Sequence, residues 1–223
     1  MTGQIKALLC DLDGTLIDSE GLHLEAWNIL LRDHGYAPPP HWNADCIGLP
    51  DQYALEKACC LFPDLQNIPG LLLRKQACLR DLMKETGEKL AYPGIADMLA
   101  RFSDAGVKLA VGTNSILINT TVALEAAGLA PFFPVVVTLD QVENGKPHPD
   151  IYATAARRLG FEGTDCAVIE DSTAGLNAAK AAGCLALGVT TSWPAASLAV
   201  ADRLFDDTPS AMAWTLSERV KHA

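Results

Sequence analysis

Five short apolar runs recur along the chain: Ile5–Cys10, Lys108–Gly112, Pro134–Thr138, Cys166–Ile169 and Cys184–Val189. They are dominated by Val, Ile, Leu and Ala with little polar alternation, as expected of strands buried on both faces of a parallel sheet. Helical periodicity fills most of the gaps. Ile95–Ala105 predicts a helix stopped by Gly106, and Leu117–Ala127 one stopped by Gly128. Ile151–Leu159 and Thr173–Ala182 end in the same way at Gly160 and Gly183. A glycine just past the last periodic residue can take the left-handed conformation that closes a helix. Strand–helix alternation of this kind predicts an α/β fold with a doubly wound parallel sheet.

Residues 18–90 break the rhythm. Leu22, Ala26, Ile29 and Leu30 mark one amphipathic helix, ending near Gly35 before Pro38-Pro39-Pro40, and Leu72, Leu79 and Met83 mark another. No strand pattern occurs between them. The expectation is a small helical cap at 18–90, inserted after the first strand of a core made of 1–17 and 91–223. The chain would cross between the two near Leu16–Asp18 and Tyr92-Pro93-Gly94, a two-strand hinge suited to a lid.

Composition narrows the partners. With 223 residues, 49% apolar, the chain is long enough to bury a real core. Its 17 basic against 27 acidic side chains argue against a broad nucleic-acid or anionic-membrane surface. A small anionic substrate held by a local positive site remains compatible. The seven cysteines form no C-x-x-C pair and read as free thiols in a reducing compartment. No basic start leads into a long apolar segment, and no run reaches membrane-spanning length. A cytoplasmic monomer with no membrane partner is the default expectation.

Four polar groups follow inferred strands. Asp11 and Asp13 follow the first, and Thr113-Asn114-Ser115 follows KLAVG. Lys146, in GKPHPD, follows VVVT, and Glu170-Asp171 follows CAVI, just before Ser172-Thr173, which can cap a helix. Taken singly, each is ordinary loop chemistry: an Asp-Gly turn, a polar run, a solvated Lys, an acidic helix start. Together they place hard-oxygen ligands, hydroxyl and amide donors and one cation on the strand edge where open parallel sheets bind ligands. That is the inventory for phosphoryl transfer. Asp11 and Asp171 would hold a divalent cation, with Mg²⁺ expected, a backbone carbonyl near Asp13 contributing and Glu170 orienting Asp171 or a bound water. Asp11 would attack phosphorus. Asp13 would protonate the leaving alcohol and then take a proton from water. Thr113 and Asn114 would donate to phosphate oxygens, and Lys146 would stabilise the developing charge.

At these residues the sequence resembles the haloacid dehalogenase superfamily. DLDGTLID matches its first motif, Thr113 the second, Lys146 in KPHPD the third and IEDS the fourth, and the match spans about two-thirds of the chain. The resemblance implies a Rossmann-like sheet, an aspartate nucleophile, Mg²⁺ bound among Asp11, Asp13, Glu170 and Asp171, and a helical cap. Within the superfamily the sequence is most similar to the phosphoglycolate phosphatase and β-phosphoglucomutase-like branch. The dehalogenases lack an acid at the position of Asp13, so phosphoryl transfer is favoured, with a small phosphorylated metabolite as substrate. The mutases carry a cap basic residue beside a glycine, whereas Cys46-Ile47-Gly48-Leu49-Pro50-Asp51 offers none. His23, ahead of Glu25-Ala26-Trp27, is similar to a mutase cap histidine and also to related phosphatases; with Ser19 it is a candidate substrate contact. Trp42 and Tyr53 are expected to pack in the cap core, and nothing around Lys57 supports a Schiff-base role. A phosphatase is the leading reading. A sugar-phosphate isomerase and a non-catalytic binding module are the alternatives, and a receiver domain fits the long insert poorly.

Overall fold

The structure is a computed structural model that describes residues 4–42, 46 and 51–220. It divides into two compact units, one running to Asp18 and resuming at Glu88, the other Ser19–Gly87.

The larger unit is built on a six-stranded sheet. Its strands are β1 (Ala7–Cys10), β2 (Lys108–Gly112), β3 (Val135–Val137), β4 (Cys166–Glu170), β5 (Leu185–Val189) and β6 (Arg203–Phe205). The order is β3-β2-β1-β4-β5-β6, with every pairing parallel. Its helices are α4 (Ile95–Asp104), α5 (Leu117–Ala126), α6 (Asp150–Leu159), α7 (Thr173–Ala181) and α8 (Thr208–Arg219). α6 and α7 cover one face through Ile151, Tyr152, Ala155, Leu176 and Ala178, which meet Ala7, Leu9, Ala110 and Val168. α4 and α8 pack together, α4 against β2 and α8 against β5 and β6. Burial on both faces is why β1, β4 and β5 read as unbroken apolar runs: every residue in them is buried. The four predicted glycine stops hold, with φ between 70 and 84° at Gly106, Gly128, Gly160 and Gly183.

The winding decides where chemistry can sit. From β1 the chain builds outward through β2 and β3, then returns to lay β4 on the other side of β1. The reversal opens a crevice at the carboxyl ends of β1 and β4, the usual ligand position in such sheets. Register aligns Cys10 with Ile169 and with Val111, so the residues that follow these three strands emerge side by side.

The smaller unit holds α1 (Glu20–Asp33), α2 (Asp51–Leu61) and α3 (Leu71–Thr86); α1 and α3 are the two expected helices, and α2 was not expected. Its core gathers Trp27, Leu30, Leu31, Trp42, Ala54, Ala58, Leu65 and Leu71. Trp42 packs there as expected, edge-on to Trp27 with ring centroids 6.3 Å apart. Tyr53 does not: it is 61% exposed. The Ile47–Pro50 part of the cap loop compared with the mutases lies outside the described residues.

Two sequence expectations needed correction in extent. β6 was not expected, because an exposed three-residue edge strand carries no apolar run. α8 was also missed, although Asp207 accepts from Ser210 N as its cap and Pro209 stands in its first turn. All seven cysteines are free; Cys10, Cys46, Cys166 and Cys184 are buried and Cys60 is exposed. No helix among the described residues is long and apolar enough to cross a membrane.

Candidate active site

Asp11 is the first residue past β1, and its N–H still donates to Ile169 O at 3.0 Å. The strand therefore carries its carboxylate into the crevice while keeping it buried. Glu170 ends β4 beside it, and Asp171 follows. Lys146, delivered by the loop after β3, donates to Asp11 Oδ1 at 2.5 Å and to Glu170 Oε1 at 2.6 Å. Its ammonium also lies 4.9 Å from the centroid of the Tyr152 ring on α6.

Glu170 is fully buried, and both of its oxygens are doubly engaged. Oε1 accepts from Lys146 and from the Tyr152 hydroxyl at 3.0 Å; Oε2 accepts from Ser172 N and Ser172 Oγ, each at 2.9 Å. A carboxylate offers about four acceptor positions, so these bonds fill it. The arrangement depends on Gly175 in the first turn of α7. A Cβ there would stand 1.6 Å from Glu170 Oε1. Gly175→Ala is expected to destabilise the protein by about 1–3 kcal/mol, the usual range for forced overpacking. Thermal unfolding measures it, and a variant melting with wild type would show that Glu170 does not pack on this turn.

Asp13 stands apart from the buried acids. Its Oδ2 accepts from Ser115 Oγ at 2.8 Å. Ser115 N in turn donates to Thr113 Oγ1 at 3.0 Å, which leaves the Thr113 proton to be donated elsewhere. Asn114 turns the other way. Its Oδ1 accepts from Lys146 N at 2.9 Å and its Nδ2 donates to Lys146 O at 3.3 Å. Both ends of the amide therefore hold the backbone of the lysine loop, and the second Nδ2 proton is left to be donated elsewhere.

The electrostatics follow from burial. Asp11 is pushed well above the usual carboxylate range by desolvation and then by Glu170, against the opposing pull of Lys146. Asp171 is raised to about 7, again by burial first and Glu170 second. Lys146 is desolvated too, but Asp11 and Glu170 outweigh that and hold its ammonium more firmly protonated than a free lysine. Three carboxylates, Asp11, Glu170 and Asp171, have ligand atoms within 4.8 Å of one another, and among the described residues Lys146 is the one cation paired with them. The deficit of two charges fits a divalent cation. With Glu170 filled by hydrogen bonds, Asp11 and Asp171 are the acids best able to hold it.

Ser19 and His23 belong to the helical unit. Ser19 is buried at the start of α1, its carbonyl accepting from Leu22 N and His23 N. His23 Nδ1 lies 2.9 Å from Lys75 Nζ, and Lys75 also donates to Asp51. Lys75 is wholly buried, 5.8 Å from the centroid of the Trp27 ring. Burial opposes the Asp51 charge, but His23 and Lys75 prevail and lower it to about 2. Sequence reasoning missed Lys75 and Asp51. The signal was present: Leu71, Leu79 and Met83 form the buried stripe of α3, and a lysine occupies the fourth place on it.

Comparison with known proteins agrees with the fold. Residues 8–189 match the haloacid dehalogenase-like hydrolase family. The chain belongs to that family. Over 215 residues it is 33% identical to the "Probable phosphatase IndB" of Dickeya dadantii, covering 96% of this chain and 91% of that one. It is also 33% identical to the validoxylamine A 7'-phosphate phosphatase of Streptomyces hygroscopicus subsp. limoneus, over 91% of this chain and 93% of that one. The crystal structure of β-phosphoglucomutase from Clostridium difficile superposes with a TM-score of 0.79 over 97% of each chain, at 23% identity, a likeness of fold.

Proposed function

We propose that the chain is a Mg²⁺-dependent phosphatase that hydrolyses a small phosphorylated metabolite through an aspartyl-phosphate on Asp11. The observation that carries this reading is the pairing of two differently placed aspartates. Asp11 is buried against Lys146, and Asp13 is held by Ser115 outside the buried cluster. One is placed as nucleophile, the other as proton carrier.

In this reading an Asp11 carboxylate oxygen bonds to phosphorus while the ester P–O bond breaks. The departing alcohol oxygen takes its proton from Asp13. Asp13 then accepts a proton from the water that attacks the phospho-aspartate, releasing phosphate and restoring Asp11. Thr113 Oγ donates to the phosphate, and Lys146 neutralises charge on the oxygens. Held by Asp11 and Asp171, Mg²⁺ would offset the acids' charge and keep Asp11 ionised for attack. Ser19 and His23 of the helical unit remain the candidate contacts for the organic part of the ester. A cytoplasmic monomer is the form we expect to work.

The acid–base role gives a direct expectation. Asp13→Asn should lower kcat by about 10²–10⁴-fold, the usual worth of a positioned acid–base. An unchanged rate and pH profile would remove Asp13 from the mechanism. The function itself is tested by free phosphate release from phosphorylated sugars, polyols and glycolate, with Mg²⁺ and with a chelator. Stoichiometric, Mg²⁺-dependent release supports the phosphatase. Isomerised sugar phosphate with phosphate conserved would establish the mutase, and inertness toward every ester the binding module.

A further inference from the structure

The segment after β5 belongs to none of the four strand-end groups, yet its hydroxyls reach two of them. Thr190 anchors it on the outer side: its N–H donates to Phe205 O at 3.0 Å, and its hydroxyl lies 3.5 Å from Phe205 O and from Asp206 O. On the inner side, the Thr191 hydroxyl donates to the Gly14 carbonyl. The Ser192 hydroxyl stands beside the Asp171 carboxylate, both pressed against Gly14. The three parts are packed without slack. Gly14 has φ +75°, and a Cβ on it would lie 2.2 Å from Asp171 Oδ2 and 2.3 Å from Ser192 Oγ. A second hydroxyl, Thr15 Oγ1, donates to Asp171 Oδ1 at 3.3 Å.

We infer that Thr191 and Ser192 are positioning residues, a clamp that fixes the Asp171 carboxylate and the Gly14 turn in the orientation that takes a divalent cation. The inference rests on the reading of Asp171 as a ligand given above. Among the described residues Asp171 has no basic partner at hydrogen-bonding distance, unlike Asp11 and Glu170, which share Lys146. Neutral donors face it, and they can orient it without cancelling the charge a cation needs. Ser192 is itself exposed, so its truncation removes the contact and leaves the core intact.

The test is Mg²⁺ binding by calorimetry on metal-free, phosphate-free protein, with thermal unfolding and phosphate release alongside. Ser192→Ala should weaken Mg²⁺ binding about 10-fold, as loss of a ligand's hydrogen-bond partner commonly does. The Mg²⁺ needed for half-maximal phosphate release should rise in parallel, with kcat recovered at saturating Mg²⁺ and the metal-free melting temperature unchanged. Ser192→Thr, which keeps the hydroxyl, should restore binding, and Thr191→Val should weaken it. Ser192→Ala with wild-type affinity, while Asp171→Asn loses Mg²⁺, would overturn the clamp and leave the metal reading standing. Wild-type protein that takes up no Mg²⁺ would overturn both.

Discussion

Asp11→Asn is expected to abolish phosphate release and, in metal-free buffer, to raise the melting temperature. The first effect follows from chemistry: an amide cannot form the phospho-aspartate, so the loss should reach roughly 10⁴-fold or the limit of detection. The second runs against the intuition that breaking an ion pair destabilises. Asp11 is one of three buried acids sharing one lysine, and it is pushed far above the usual carboxylate range. Removing its charge relieves repulsion, while Lys146 keeps Glu170 as partner. Each kcal/mol gained should appear as about 2–4 °C in a chain of this size. The raised acids also set the pH dependence. Folding favours the protonated form of a group whose folded pKa lies above its ordinary value. For Asp171 that stability is fully present below about 3.8 and is lost as pH rises through about 7. Metal-free wild type should therefore weaken across that window, and the melting shift produced by Mg²⁺ should grow across it. Asp11→Asn should show a smaller Mg²⁺ shift throughout. Wild-type release rates from the variant would end the nucleophile assignment, and a lower metal-free melting temperature would end the charge argument.

Most of this site was legible because its members announce themselves by position. Asp11, Thr113 and Asp171 are polar residues abutting apolar runs, and the parallel winding carries such ends to one edge. What stayed hidden acts across the sheet. Ser115, Tyr152 and Ser192 are ordinary residues until the fold sets them against Asp13, Glu170 and Asp171. Gly175 looks like a weak helix residue, and only the Glu170 carboxylate beside it shows why a side chain is excluded. Asn114 also holds the Lys146 backbone, a contact between two loops that its residue type does not announce. α2 escaped because only Ala54 and Ala58 of its residues are buried, too sparse a stripe to register as amphipathic. Lys75 escaped for the opposite reason, a charge hidden on an otherwise apolar face.

Lys146→Ala should be the most destabilising single change at the site, and Mg²⁺ should partly reverse it. The lysine is the shared counter-charge of Asp11 and Glu170, at 2.5 and 2.6 Å, with its ammonium almost wholly out of solvent. Truncation leaves three clustered acids with no basic partner among the described residues and also strips one of four hydrogen bonds from Glu170. Leaving a buried charge unpaired costs about 3–5 kcal/mol, or roughly 6–20 °C in melting temperature. Part of that loss will be softened by proton uptake, since Asp11 and Asp171 already lean toward the neutral form. The variant should consequently be most unstable at alkaline pH and approach wild type toward pH 5. Added Mg²⁺ should recover more stability than it gives wild type, because it meets three negative charges in place of a net two. Activity should not return with stability, since no cation then stands beside the transferring phosphoryl oxygens. Lys146→Arg separates the two effects further. It restores a positive charge, but a planar guanidinium cannot sit as a point between two carboxylates less than 3 Å away on either side. Melting should recover in part while phosphate release stays low. Thermal scans from pH 5 to 9 with and without Mg²⁺ decide the matter. A Lys146→Ala protein that melts within a degree of wild type at pH 8, metal-free, would show that this lysine does not hold the acid cluster together.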